Sequence, residues 1–302
     1  MRRRATTVID TEKCTGCGLC VQVCPSDTLS LTDGKAAVTG QYSIGCEHCV
    51  AVCPEDAIHV GFSDAEATTL ETVENRSSWL PFGQGDTAEL VRLFRSRRSC
   101  RKFSKEPVPE AVLRDLVRIG IMAPTGTNSQ LWTFTVVPDR ESVMKLGSAV
   151  GKFFDKLNAM AEKRVARLVS KVFMKDMLGE YYRDYYESVK RGLDQFRNEG
   201  RDRLFHGAPA VILIGSQPGA SCPAEDALLA SQNICLAAHT MGYGTCLIGF
   251  AVEAIRHDPR VKKVLGIPAD EKIYSVIALG KSLERYRKQA GRRSVEPRYF
   301  RG

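Results

Sequence analysis

The sequence predicts an α+β chain in two unequal parts joined by an arm. A cysteine-rich motif repeats near the N-terminus at an offset of 29 residues. Residues 61–87 are acidic and hydroxyl-rich without periodicity, and from residue 88 onward helical and strand-like apolar patterns alternate. With 302 residues and 43% apolar content, the chain can bury a core.

The repeat comes first. CTGCGLCVQVCPSD from Cys14 aligns with SIGCEHCVAVCPED from Ser43, and the first half reads C-x2-C-x2-C-x3-C-P through Cys14, Cys17, Cys20, Cys24 and Pro25. Thiolates at this spacing wrap three corners of an iron–sulfur cube, while the fourth turns to another cluster. Zinc is the competing ion, but its sites take two separated Cys-x2-Cys pairs and four ligands. Here seven of the eleven cysteines interleave between Cys14 and Cys53. Cys100, Cys222, Cys235 and Cys246 are scattered and read as free thiols of a reducing compartment.

From Val8 to Val60 the chain resembles the two-cluster bacterial ferredoxin family. The resemblance implies that one 4Fe-4S cluster takes Cys14, Cys17, Cys20 and Cys53, and that a second takes Cys46, Cys49 and Cys24. Ser43 stands where the family has the first cysteine of the second half. That corner admits a three-iron cluster (3Fe-4S), a four-iron cluster completed by the Ser43 oxygen or another ligand, or no stable cluster. Retention of Cys46, Cys49, Cys53 and Pro54 favours a built site. His48 reads as a bystander between two ligands.

The net charge of +8 is unevenly spread, the first sixty residues being acidic on balance and the segment from Lys281 to Gly302 strongly basic. That tail carries no nucleic-acid motif, so a cofactor phosphate or a partner surface is expected instead. No apolar run reaches the length of a membrane span, and MRRRATTVIDTEKC lacks the apolar region of a signal peptide, so a cytoplasmic location is expected.

The arm at 61–87 is expected to travel across a surface, in a dimer over the partner. Next, Val112, Leu113, Leu116, Val117 and Ile121 recur at helical spacing behind Pro109. Val- and Ile-rich runs at 132–137, 208–215 and 274–280 read as strands. A helix over 225–240 stops at Gly242, a natural left-handed cap, and a strand with Cys246 to Ile248 follows. The charged stretch 151–200 is helical. Tyr181 and Tyr185 lie one turn apart, as do Tyr182 and Tyr186, and both pairs read as helix packing rather than a pocket cap.

LFRSRRSCRKF, then PVPEAVLRDLVRIGIMAPTGTNSQLWTFTVV, then MGYGTCLIGF resemble, in this order, the FMN-dependent nitroreductase family over residues 88–302. The resemblance implies a nitroreductase-like α/β sandwich fold and a homodimer with FMN at the subunit interface. Arg97, Arg98, Ser99 and Arg101 match the family's first FMN-contact segment. Pro124, Thr125, Gly126 and Asn128 match the segment that reaches FMN from the other subunit. Leu247, Ile248 and Gly249 match the backbone beside flavin N5. Arg292 and Arg293 match basic residues of the phosphate site more loosely. Gln130 and Trp132 brace the loop. Many relatives carry Glu at the place of Ile248, which bears on nicotinamide preference. The expected activity passes electrons from the clusters to FMN and on to a nitroaromatic, quinone or activated alkene, with NAD(P)H or a redox protein as donor. A non-enzymatic electron carrier or sensor, and a flavin-free binding protein, are the alternatives.

Overall fold

The computed structural model describes residues 3–61, 64, 66–76 and 78–302; positions 62, 63, 65 and 77 of the expected arm lie outside the described residues. In the N-terminal part the elements are β1 (Arg3–Arg4), β2 (Thr7–Ile9), α1 (Leu19–Gln22), β3 (Leu29–Thr32), β4 (Lys35–Val38), β5 (Tyr42–Ser43), α2 (His48–Ala51) and β6 (Ile58–Val60). They pair antiparallel as β1 with β5, β2 with β6 and β3 with β4. The sequence repeat is also a backbone repeat. Left-handed residues recur 29 positions apart at Gly16 and Gly45, Gly18 and Glu47, and Asp27 and Asp56. Only glycine fits at 16, because a Cβ there would fall 1.9 Å from the Gly34 carbonyl oxygen.

The arm folds back on its own chain. Asp115, fully buried, accepts hydrogen bonds from the amides of Glu71 (2.7 Å) and Thr72 (2.6 Å) and from the Thr72 hydroxyl (2.6 Å). Glu71 in turn meets Arg114 at 2.9 Å and Arg118 at 2.8 Å.

The larger part contains α3 (Thr87–Ser96), α4 (Glu110–Gly120), a single 3-10 turn (Gly126–Asn128), β7 (Trp132–Val137), α5 (Arg140–Ala161), α6 (Arg164–Phe173), α7 (Met177–Asp184), α8 (Tyr186–Glu199), β8 (Ala210–Ser216), α9 (Pro223–Thr240), β9 (Gly244–Leu247), α10 (Gly249–His257), α11 (Pro259–Val264) and β10 (Lys272–Gly280). Four antiparallel strands run in the order β7-β8-β10-β9. Both faces of this sheet are covered, which explains why its strands read as unbroken apolar runs. Val211 and Leu213 of β8 and Val276 and Ala278 of β10 face Val143, Leu146 and Val150 of α5 and Ala251 and Ile255 of α10. Ile212 and Ile214 of β8 and Ile277 and Leu279 of β10 face Leu113 and Leu116 of α4 and Ala230 and Ile234 of α9. The period-two alternation thus feeds two cores and gives a three-layer sandwich.

The predicted helices fall at α4 and α9, with Pro109 capping the first and Pro223 opening the second. Gly242 sits at φ 84°, and the Tyr243 amide reaches back to the Ala238 carbonyl at 2.7 Å, closing α9 as expected. No helix among the described residues is long and apolar enough to cross a membrane.

Candidate functional site

The N-terminal part encloses two hollows. Cys14, Cys17, Cys20 and Cys53 line one; Cys24, Cys46, Cys49 and Ser43 line the other. Each half of the repeat therefore lends its last cysteine to the opposite cage. The sulfurs meet backbone amides: Ala36 N–H donates to Cys14 Sγ at 3.4 Å, Thr28 N–H to Cys24 Sγ at 3.4 Å and Ala57 N–H to Cys53 Sγ at 3.3 Å. The Ala36 amide, helped by that of Gly16, holds the Cys14 thiol below its ordinary pKa. Burial pushes the Cys20 and Cys49 thiols up. Ser43 Oγ accepts from the Gly45 amide at 3.0 Å. Among the described residues no three His, Cys, Asp or Glu are grouped as ligands of one ion. Soft sulfurs around a hollow, with amide donors aimed at them, are the donor set a multi-iron cluster requires.

In the larger part, α3 ends at Ser96 and the chain runs extended along the outer edge of the sheet. The Cys100 amide donates to the Thr245 carbonyl at 2.8 Å, and Ser99 bridges Thr245 in parallel. This pairing brings Arg97 to Arg101 beside β9. Gly244 makes the approach possible, because a Cβ there would lie 2.7 Å from Cys100 Cβ. Burial raises the Cys246 thiol pKa, opposed by the nearby positive charges of Arg101 and Arg97.

A hollow of about 810 Å³ opens where these segments meet. Arg101, Cys246, Leu247, Ile248 and Gly249 line one wall, and Arg203 and His206 add polar groups. Burial lowers the His206 pKa, so its ring is neutral near pH 7. An added Cβ at Gly249 would meet nothing within 4 Å. Ile248 N–H is committed to the Val276 carbonyl at 2.8 Å. The antiparallel register then leaves Leu247 N–H on the outer edge of β9, and Gly249 N–H opens α10 without an intrahelical partner.

Aromatic rings close the opposite wall. Phe154 stacks on Tyr181 (6.5 Å between centroids), Tyr181 on Tyr185 (6.4 Å), and Phe250 meets Phe154 and Tyr185 edge-on. Tyr181 and Tyr185 thus line a cavity, where the sequence pointed to plain packing. Tyr182 and Tyr186 do pack: Arg167 lies over the Tyr182 ring, and the Tyr186 hydroxyl donates to Glu162 at 2.5 Å. Phe154, Phe250, Arg203 and His206 carried no local signal.

The remaining predicted residues lie elsewhere. Arg98 sits 5.8 Å over the Tyr286 ring. Arg292 and Arg293 are exposed in the extended tail, Arg292 bonding the Gly291 carbonyl beside it. Pro124, Thr125, Gly126 and Asn128 do not line this hollow. Gly126 N–H donates to the buried Asp226 carboxylate at 2.9 Å, and the Asn128 side chain turns to the N-terminal part. Trp132 packs against the α4–α9 core.

Two cysteine cages on a sandwich that holds an arginine- and amide-lined cavity define an oxidoreductase with an iron–sulfur module. The nitroreductase family model matches residues 94–281, and that of the 4Fe-4S binding domain matches residues 7–30. The chain belongs to the nitroreductase family, and with it to the FMN-dependent oxidoreductases, here carrying a 4Fe-4S ferredoxin domain. It is similar to an NADH dehydrogenase of Thermus thermophilus, 27% identical over 201 residues that cover 67% of this chain and 88% of that protein. It is likewise similar to an iodotyrosine deiodinase of Thermotoga neapolitana, 25% identical over 191 residues, 63% of this chain and 87% of that one. A solved nitroreductase of Bacteroides fragilis with bound FMN superimposes with a TM-score of 0.49 at 20% identity, covering 69% of this chain and 99% of that one.

Proposed function

We propose that this enzyme takes electrons through two iron–sulfur clusters in its N-terminal cages to FMN in the 810 Å³ hollow, and delivers them to a planar organic acceptor. The observation that carries the reading is the pairing of Cys100 with Thr245, which puts Arg101 and the Leu247–Gly249 backbone on one cavity wall.

The residues fit the group. Arg101 lines the hollow and Arg97 and Ser99 lie beside β9 next to it, offering guanidinium and hydroxyl donors for a phosphate and a ring that gains negative charge on reduction, whereas Arg98 would have to leave the Tyr286 ring to join them. Leu247 and Gly249 offer N–H groups to the flavin edge, while Ile248, whose own N–H is committed, holds the strand in register. FMN when bound supplies the conversion of single electrons into a hydride equivalent. Pro124, Thr125 and Gly126 reach a flavin only from a second subunit, so a homodimer is part of the proposal. Arg292 and Arg293 join the phosphate site through the same assembly.

The second cage, with three thiolates and the Ser43 oxygen, holds a three-iron or a serine-completed four-iron cluster; the first holds a 4Fe-4S cluster. The stacked rings of Phe154, Tyr181 and Tyr185 suit flat acceptors, so nitroaromatics and quinones come before activated alkenes. Burial holds Tyr181 protonated, and its hydroxyl donates to Asn158 at 2.7 Å, which makes it a wall and not a proton source. NAD(P)H or a reduced redox protein is the donor.

Turnover with nitro, quinone and enoate acceptors, using NADH, NADPH or dithionite, tests this. Reoxidation of the reduced flavin by at least one acceptor class is expected. A flavin that is reduced yet reoxidised by none of them would make the protein an electron carrier instead.

A further inference from the structure

The loop from Thr125 to Gln130 carries three left-handed residues with side chains, Thr127 (φ 53°), Asn128 (φ 51°) and Gln130 (φ 49°). Such backbone is costly and persists where surrounding contacts over-determine it. The contacts are specific. Asn128 Nδ2 donates to the carbonyls of Gly45 (2.8 Å) and Ile44 (3.2 Å), the turn between Ser43 and Cys46 of the second cage. Gln130 Nε2 donates to Asn128 Oδ1 at 3.0 Å and so fixes which end of the amide faces that turn. Arg3, on the strand paired with Tyr42–Ser43, donates to the Asn128 carbonyl at 2.5 Å.

The far end of the loop is anchored as firmly. Asp226 of α9, buried, accepts from Gly126 N–H at 2.9 Å and Ser129 Oγ at 3.4 Å. A continuous polar chain therefore runs from the sandwich core through Asn128 to the turn that presents Ser43 and Cys46.

The structure assigns Asn128 as a positioning residue that clasps the Ile44–Gly45 turn, so that the flavin domain itself shapes the second cage. The inference rests on the two-cluster reading above and departs from the flavin contact that the sequence resemblance implied for this residue. The two donors of its amide are engaged by the turn, and with them the conformation of the cage corner where serine replaces cysteine. The cage that departs from the repeat is thus the one braced from outside.

The test compares the wild-type holoenzyme, Asn128→Ala and Gln130→Ala, prepared anaerobically, by hydrogen exchange and electron paramagnetic resonance. Exchange in residues 42–47 should rise about tenfold in Asn128→Ala and less in Gln130→Ala, with residues 13–19 unchanged. The signal of the second cluster should change while FMN content holds. Unchanged exchange at 42–47 in both variants would overturn the assignment, as would loss of FMN with the second-cluster signal intact. If wild-type protein held iron for one cluster only, the two-cluster reading would fail, while exchange at 42–47 would still decide the clasp.

Discussion

The Ile248 amide donates to the Val276 carbonyl at 2.8 Å, and this single bond sorts the three backbone groups beside the hollow proposed to hold the flavin. It removes Ile248 N–H from the chemistry and leaves those of Leu247 and Gly249. Gly249 is the first residue of α10, where proline is tolerated, and an added Cβ there would meet nothing within 4 Å. Gly249→Pro should therefore fold and bind FMN, yet slow flavin reduction roughly 100-fold, the usual cost of one preorganised donor. Stopped-flow absorbance reads this directly; a rate within about twofold of wild type would exclude the Gly249 amide.

Gly244 sets how closely the arginine segment approaches β9. Gly244→Ala places a Cβ 2.7 Å from Cys100 Cβ and 2.9 Å from Cys100 Sγ, an overpacking worth about 1–3 kcal/mol. FMN affinity should fall, and the double variant with Cys100→Gly should recover part of it. Equilibrium flavin titration measures both; equal losses in the single and double variants would break the link between this contact and the flavin site.

Ser43→Cys restores the four-thiolate pattern of the first cage. If a three-iron cluster occupies the second cage, iron should rise from about seven to about eight atoms per chain, and the resonance signal should become that of a four-iron centre. Iron and sulfide assay with low-temperature spectroscopy checks the change. Identical iron and signal would show that residue 43 is not a corner of the cage.

Asp115 holds the arm through three hydrogen bonds. Burial works to raise its pKa, but the Thr72 hydroxyl and the amides of Glu71 and Thr72 outweigh it and keep the carboxyl below its ordinary value of 3.8. A lowered folded-state pKa stabilises the protein above the unfolded value and loses that contribution as pH falls through the folded one. The clasp is thus complete near neutrality, starts to lose its contribution as pH drops below about 4, and is lost only as pH falls through the lowered folded-state value. Asp115→Ala should release residues 66–76 at pH 7, at a cost of about 3 kcal/mol. Limited proteolysis of this segment in the variant reads the release; resistance equal to wild type would contradict it.

The grouping of the cysteines was legible because they sit close in sequence and the repeat states them twice; the exchange of Cys24 and Cys53 between the two hollows was implied by the resemblance to two-cluster ferredoxins. The strands were legible too, since a sheet covered on both faces leaves Val- and Ile-rich runs such as 210–216. The cavity's far wall was not. Phe154, Arg203 and Phe250 come from three separate segments, and the spacing of Tyr181 and Tyr185 is the same whether they face a core or a hollow. Asn128 matched a flavin-binding pattern, yet its partners are backbone carbonyls 83 and 84 residues away, which leave no side-chain signature. The arm was read as crossing a surface, but the Asp115 that receives it looked like any polar residue of an amphipathic helix.

On the proposed function, iron–sulfur clusters and a flavin share this chain and exchange electrons. Anaerobically purified protein should contain one FMN and about seven or eight iron atoms per chain. When a limiting one-electron reductant is added, flavin bleaching should follow cluster reduction within the same molecule, at a rate independent of protein concentration. Protein that lacked either cofactor, or flavin that bleached only in proportion to protein concentration, would contradict it.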